Sequence, residues 1–460
     1  MSARTRPGPG GPAGRVAEAR RLLSARPMAT DELLAALRVS QPSLSRTIQR
    51  VPGAFMFRVR GTRTPRYGLV RMLPGGVPGE QQVYRVDPTG AVSRVGTVAL
   101  LAGGATYFGG AQGGQLFEGL PPSMAFAALA GFLGRQVAHA VASGLALPGS
   151  LRDWSDDHHA AYLFACGSDL PGDLVFGDAA LALALQARAQ LEPTPAHDKL
   201  GAYAARTAAM ADTAWGSSVG GEQPKFLAHT QDRGHVIVKF ARAGSRMAEL
   251  LHLERLALGC LRDAGVAAAE AQVLEGDGFV FLELVRFDRQ GPLGRLGMVS
   301  AGAIDDEHFG RRDSWSAFAR SCAAARLVTA QDELRIHIMA AFSELIGNND
   351  RHFDNLSLML DGRGGIAGVA PAYDILPMQY APIGGGLEPA LRPVEPRLGA
   401  IGGLPAVWLP AARAALAFWR RVVNDPELGV SAPMRAVAAR NLDVVQAFVA
   451  PWVEVSVLAR

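Results

Sequence analysis

Residues 346–360 read Ile-Gly-Asn-Asn-Asp-Arg-His-Phe-Asp-Asn-Leu-Ser-Leu-Met-Leu, and residues 370–374 read Ala-Pro-Ala-Tyr-Asp. Asp350 and Asn355 stand five apart. An apolar run (356–360), a turn at 361–365 and a second extended run through Val369 separate them from Asp374. This predicts a hairpin with a carboxylate–amide pair at its entrance and a lone carboxylate at its exit. The D-x-x-x-x-N spacing is that of a kinase catalytic loop, where Asp takes a hydroxyl proton, Asn holds a metal and a later Asp holds metal too. Of five Asn in the chain, three fall at 348, 349 and 355, which concentrates polar chemistry here. The competing reading is an Asn/Asp-rich turn before a hairpin, since these residues favour turns by local hydrogen bonding.

The remaining 431 or so positions bound the answer; a chain of 460 residues corresponds to about three domains. Apolar content of 49% against 19% charged allows a sizeable core. The three Cys (166, 260, 322) are too few and scattered for a disulfide framework or a zinc site, which suits a reducing cytoplasm. The start of the chain lacks the apolar core of a signal peptide, and no run approaches a membrane span, so a cytoplasmic protein with no membrane partner is expected. Of 46 basic residues only 199, 225 and 239 are Lys. So strong a bias to Arg suggests that Lys is kept where a compact ammonium is needed. Charge is uneven: residues 1–72 carry +11 and the rest −7. A basic head on a mildly acidic body points to nucleic acid.

Residues 1–13 read as a disordered tail and 14–72 as a winged helix-turn-helix domain. In it, Thr30 and Ser40 are the expected helix caps and Leu44, Ile48 and Val51 face inward. The second helix presents Ser43, Arg46, Gln49 and Arg50, and a hairpin over 55–70 carries Arg60 and Arg63 for phosphate. The alternative is the same fold used for protein contacts. A linker (73–80) leads to an N-lobe (81–285) with a long apolar helix over 123–146, then to a mainly helical C-lobe (286–460). The cluster Asp153–His159 matches no metal spacing and is read as a solvated helix start.

Residues 214–240 combine a Gly/Ser loop, a strand, a turn and a second strand ending at Lys239. Gly220 and Gly221 permit close approach of backbone to phosphate. In the next helix Glu254 falls within the apolar stripe of Met247, Leu250, Leu251 and Leu258, where a lone carboxylate needs a cation. Lys239 is the expected partner, an unspecified Arg the alternative. Glu283 and Val285 end an apolar strand and are the expected hinge, with exposed backbone for adenine. Residues 305–317 read as a mobile loop.

Together, Ser218-Val-Gly-Gly-Glu-Gln-Pro-Lys225, Ile237-Val-Lys239, Glu254, Arg286-Phe-Asp-Arg289, Leu345–Asn355 and Ala372-Tyr-Asp-Ile-Leu-Pro377 resemble the HipA family of bacterial toxin kinases. The basic head makes the chain similar to the subgroup with a fused helix-turn-helix. The resemblance implies an α+β, two-lobed kinase-like fold using ATP and Mg²⁺. It implies Asp350 as base, Asn355 and Asp374 as metal ligands, Lys239 on the phosphates, and Ser218 or Ser217 as autophosphorylation site. It further implies an aminoacyl-tRNA synthetase as substrate and an antitoxin partner. Asp-Ile-Leu stands where protein kinases have Asp-Phe-Gly, and His352 is read as a turn residue. A DNA-binding regulator with a nucleotide-sensing or inactive kinase-like body is the competing function.

Overall fold

The computed structural model describes residues 11–110, 113–214, 223–383 and 386–458. Ser217, Ser218, Gly220 and Gly221 lie outside them. At the N-terminus, helices Pro12–Ala25, Thr30–Leu37 and Gln41–Ile48 pack against an antiparallel sheet ordered Met28–Ala29, Arg66–Leu69, Ala54–Phe57. Ala19, Leu23, Leu33, Leu44, Ile48, Val51 and Tyr67 form the core beneath them. Ser40 holds the N-cap position of the third helix, without a side-chain bond to the helix backbone. Thr30 does not cap the second: Ala29 holds that position, and its N–H donates to Glu32 Oε2 at 2.6 Å. The Thr30 hydroxyl instead donates to the Pro65 carbonyl at 2.8 Å, tying helix to hairpin.

That hairpin is held by the body of the chain. Phe57 packs on Tyr107 with ring centroids 4.8 Å apart. The expected linker at 73–80 is corrected by the same logic, since backbone left unpaired next to a sheet edge is costly. Gly79 N–H donates to Arg71 O, Leu100 N–H donates to Gly79 O, and Leu73 is buried. The segment is thus part of a five-stranded sheet's margin. In this sheet the order is Gly113–Glu118, Ala105–Gly110, Val92–Leu100, Glu80–Val86, Leu174–Phe176. Val83, Val98, Met124, Leu163 and Phe176 share its core. The long helix expected over 123–146 is two, Pro122–Ala127 and Gly131–Val141, broken where Ala128 and Ala130 take extended backbone. Asp156–Cys166 is a helix capped at Ser155, and Asp157 pairs with Arg71 at 2.6 Å. Among the described residues no group of three or more His, Cys, Asp or Glu is placed to hold a metal.

A second sheet follows, ordered Ala271–Gly276, Phe279–Val285, Gly234–Arg242, Lys225–Thr230. Strand alternation splits its faces. Val236, Val238, Phe240 and Phe281 pack with Tyr203 of helix Lys199–Ala214. Ile237, Ala241, Leu282 and Leu284 pack with helix Arg246–Asp263 in the large core. That core runs on through helices Trp315–Ala324, Ala330–Ile346, Pro405–Asn424 and Ala432–Leu458. A small sheet, Gly297–Ser300 with Ser357–Leu360 and Ile366–Val369, carries the hairpin expected from the sequence. The expected loop at 305–317 is corrected. Residues 301–308 and 315–324 are helical, and buried Asp305 accepts the Arg311 and Arg312 N–H groups at 2.8 and 2.9 Å.

Candidate functional site

Lys239 sits on the central strand Gly234–Arg242 and points, by alternation, toward helix Arg246–Asp263. Glu254 occupies the buried face of that helix at 0% exposure. Lys239 Nζ donates to both Glu254 carboxylate oxygens at 2.8 Å and also to Asp374 Oδ1. Burial by itself disfavours the ammonium, but Asp374 and Glu254 outweigh it and hold the Lys239 pKa above its ordinary value. For Asp374, burial works upward while Lys239, and Lys225 beyond it, pull the carboxyl down to about 2. Glu254 is pushed up by burial and by Asp374, against Lys239. One ammonium thus bridges two carboxylates, with Lys225 acting on both from farther off.

Asp374 is held in the left-handed region (φ 52°), a conformation that short polar residues tolerate and that clusters at functional sites. The residue before it is the anchor. Tyr373 donates its hydroxyl to Asp354 O at 2.7 Å and meets Ser357 Oγ at 2.7 Å, so the exit strand is pinned to the catalytic-loop candidate. The Ala372 N–H and carbonyl bond to Ala267 and Ala269, joining this strand to the end of helix Arg246–Asp263.

Asp350 follows helix Ala330–Ile346 with its side chain 46% exposed. Asn355 Nδ2 donates to the Asp350 carbonyl at 3.0 Å, closing the loop and leaving the Asn355 amide oxygen for a cation. His352 Nε2 lies 3.8 Å from Asp350 Oδ1. Its carbonyl accepts from Trp315 Nε1 and the Asn355 N–H, the turn role the sequence suggested.

Of the expected hinge residues, Glu283 is paired on both sides within the inner strand, while Val285, the strand's last residue, pairs with Val236 and donates its N–H to Glu270 O. The Glu283 carboxylate is 0% exposed, accepts from Lys199 Nζ at 3.0 Å, and is hydrogen-bonded by the Tyr203 hydroxyl. Sequence reasoning missed this cluster, although the rarity of Lys marked Lys199. It also missed the lock at 286–289. Arg286 donates to Asp288 (3.0 and 2.9 Å) and Asp169 (2.9 and 3.1 Å), and Arg289 to both at 2.6 Å. Asp169, more than a hundred residues away in sequence, carried no local signal.

On the basic head, Arg46, Gln49, Arg50, Arg60 and Arg63 are exposed and Ser43 is half-buried. Among the described residues no carboxylate lies within ion-pair distance of those four arginines.

A strand lysine bridging a helix glutamate and an aspartate just past a hairpin, with an Asp/Asn loop before that hairpin, defines a kinase-like site on a mixed α/β fold. Residues 77–185 match the family described as YjjJ-like toxin, middle domain, and residues 217–442 match the HipA-like C-terminal domain. Over 422 residues the chain is 33% identical to Toxin YjjJ of Escherichia coli (strain K12), covering 88% of this chain and 93% of that one. The chain therefore belongs to the YjjJ-like toxins of the HipA-like family. Among solved structures it is similar to HipA of the Shewanella oneidensis MR-1 toxin–antitoxin system, in a complex with HipB and operator DNA. There the identity is 15%, the TM-score 0.46, and the coverage 82% of this chain and 91% of that one. It is also similar to the Helicobacter pylori proinflammatory kinase CtkA, at 14% identity and a TM-score of 0.37, covering 53% and 95%. No described helix is long and apolar enough to cross a membrane.

Proposed function

We propose that the chain is a serine/threonine protein kinase using ATP and Mg²⁺, the toxin of a toxin–antitoxin pair. Its substrate is a translation protein such as an aminoacyl-tRNA synthetase. The observation that carries the reading is Lys239 held between Glu254 and Asp374. Asp350 accepts the proton of the attacking hydroxyl; its half-exposed carboxylate suits a base that must meet substrate. Lys239 turns from Asp374 to the phosphates while keeping Glu254. The Asp374 carboxylate and the Asn355 amide oxygen fit Mg²⁺, which is usually held by one or two carboxylates plus substrate phosphates. When bound, the metal and ATP supply the phosphoryl group and the neutralisation of its charge. Ser218 or Ser217 takes a regulatory phosphate, whose roughly −2 charge repels the loop from ATP.

The test is purified protein with labelled ATP and Mg²⁺, with phosphosites mapped before and after. Label in the wild type that is absent in Asp350→Asn supports the reading. Equal label in both, or no phosphate in any sample, overturns it.

A second reading concerns the head, which we propose is a winged helix-turn-helix that binds DNA. Its support is the set of exposed arginines that have no carboxylate partner among the described residues. Retention of promoter-DNA binding at modest salt by Arg46→Glu with Arg50→Glu would refute it.

A further inference from the structure

Asp350 is gripped on both sides of its own backbone. Asn355 Nδ2 donates to its carbonyl at 3.0 Å, and its N–H donates to Asn348 Oδ1 at 3.1 Å. The latter is an Asx-turn, in which a side-chain oxygen captures the amide two residues on. The carboxylate is the part left free.

Asn348 is itself fixed. It is 1% exposed, and its N–H donates to Ser343 O at 2.8 Å where helix Ala330–Ile346 ends. Gly347 terminates that helix in the left-handed region (φ 75°), and its carbonyl accepts the Gln379 N–H at 3.0 Å. It is this left-handed φ that favours glycine, since a Cβ on Gly347 would meet only the flexible end of the Gln379 side chain, 2.7 Å from its Cδ. Gln379 is five residues past Asp374. One two-residue joint therefore receives the segment that follows Asp374 and sets the backbone of Asp350.

The chemistry of Asn348 is out of place for a purely structural residue. Its Nδ2 is buried without a partner. A buried donor left unpaired is costly, and an apolar residue of similar size avoids the cost. The residue is explained by what its Oδ1 does. We infer that Asn348 is a positioning residue that aims the Asp350 carboxylate, acting with Gly347 as the joint between the two carboxylate-bearing segments. The inference rests on the phosphotransfer reading above.

The test compares Asn348→Leu, similar in size with no acceptor, and Asn348→Ser, whose hydroxyl restores a weaker turn bond. In the labelling assay kcat falls ~10- to 100-fold in Asn348→Leu with KM for ATP changed less than ~2-fold, as expected for misaiming by under an ångström. Asn348→Ser recovers most of the loss. Hydrogen–deuterium exchange at the Asp350 amide, resolved by fragmentation, supplies a readout that needs no activity: faster in Asn348→Leu, restored in Asn348→Ser. If Asn348→Leu does not fold, Asn348→Ala against Asn348→Ser makes the same comparison. Unchanged kcat in a folded variant lacking the acceptor overturns the inference, as does unchanged exchange at Asp350. A wild type that transfers no phosphate while Asp350 exchange still responds overturns the kinase reading, and the catalytic role of Asn348 with it.

Discussion

Replacing Asp288 by Asn strikes the lock between residues 167–173 and the segment after the inner strand. Asp288 is 5% exposed and accepts from Arg286, Arg289 and the Gly172 N–H. Burial works to raise its pKa, but Arg286 and Arg289 hold it down at about 2 against an ordinary 3.8. A carboxyl so depressed contributes ~2.5 kcal/mol of stability at pH 7. The sign follows from the depression: the contribution is complete well above 3.8 and is lost as pH falls through about 2. Three guanidiniums crowd two carboxylates here, and Arg295 is already pushed down to about 10 by burial and its neighbour Arg289. Removing one carboxylate charge leaves the surplus uncompensated, a loss that in buried pairs reaches ~3–5 kcal/mol. Urea unfolding of wild type and Asp288→Asn, followed by far-UV circular dichroism, should therefore show a gap of about 2–5 kcal/mol at pH 7. The gap should narrow to roughly half by pH 3. A gap below ~1 kcal/mol at pH 7, or one that does not narrow in acid, would refute the electrostatic account.

Lys239→Met should abolish phosphate transfer and, by stranding buried Glu254, cost ~3–5 kcal/mol in urea unfolding. Lys239→Met with Glu254→Leu should regain most of that stability and none of the transfer. Lys199→Met, which leaves Glu283 with Arg233 at 3.7 Å as its remaining cation, should cost less, ~1–3 kcal/mol in the same assay. Arg46→Ala with Arg50→Ala should weaken DNA binding across sequences and lower the slope of log affinity against log salt by roughly two, measured by fluorescence anisotropy.

The candidate site residues were legible because their chemistry conflicts with their local pattern. Glu254 interrupts an apolar stripe, Lys239 is one of three lysines, and Asp350, Asn355 and Asp374 bracket a hairpin. The three-helix head was equally legible, since the apolar periodicity that buries Leu44, Ile48 and Val51 is local. What failed were inferences about surroundings. Residues 73–80 look like a linker by composition but bond to a sheet margin. Glu283 sits at a strand end facing a hinge, yet its strand is paired on both sides and its carboxylate is spent on Lys199 and Tyr203.

The sequence by itself determined which residues carry charge into apolar surroundings and the type of many helices and strands, though not all of their bounds. Those depend on side-chain type and on periods of 3.6 and 2, which act over a few residues. Only the tertiary structure decided the partners: Asp374 with Lys239, Asp169 with Arg286, and Gly347 with Gln379. Such pairings link segments far apart along the chain, and their energies depend on burial and distance, neither of which a local pattern records.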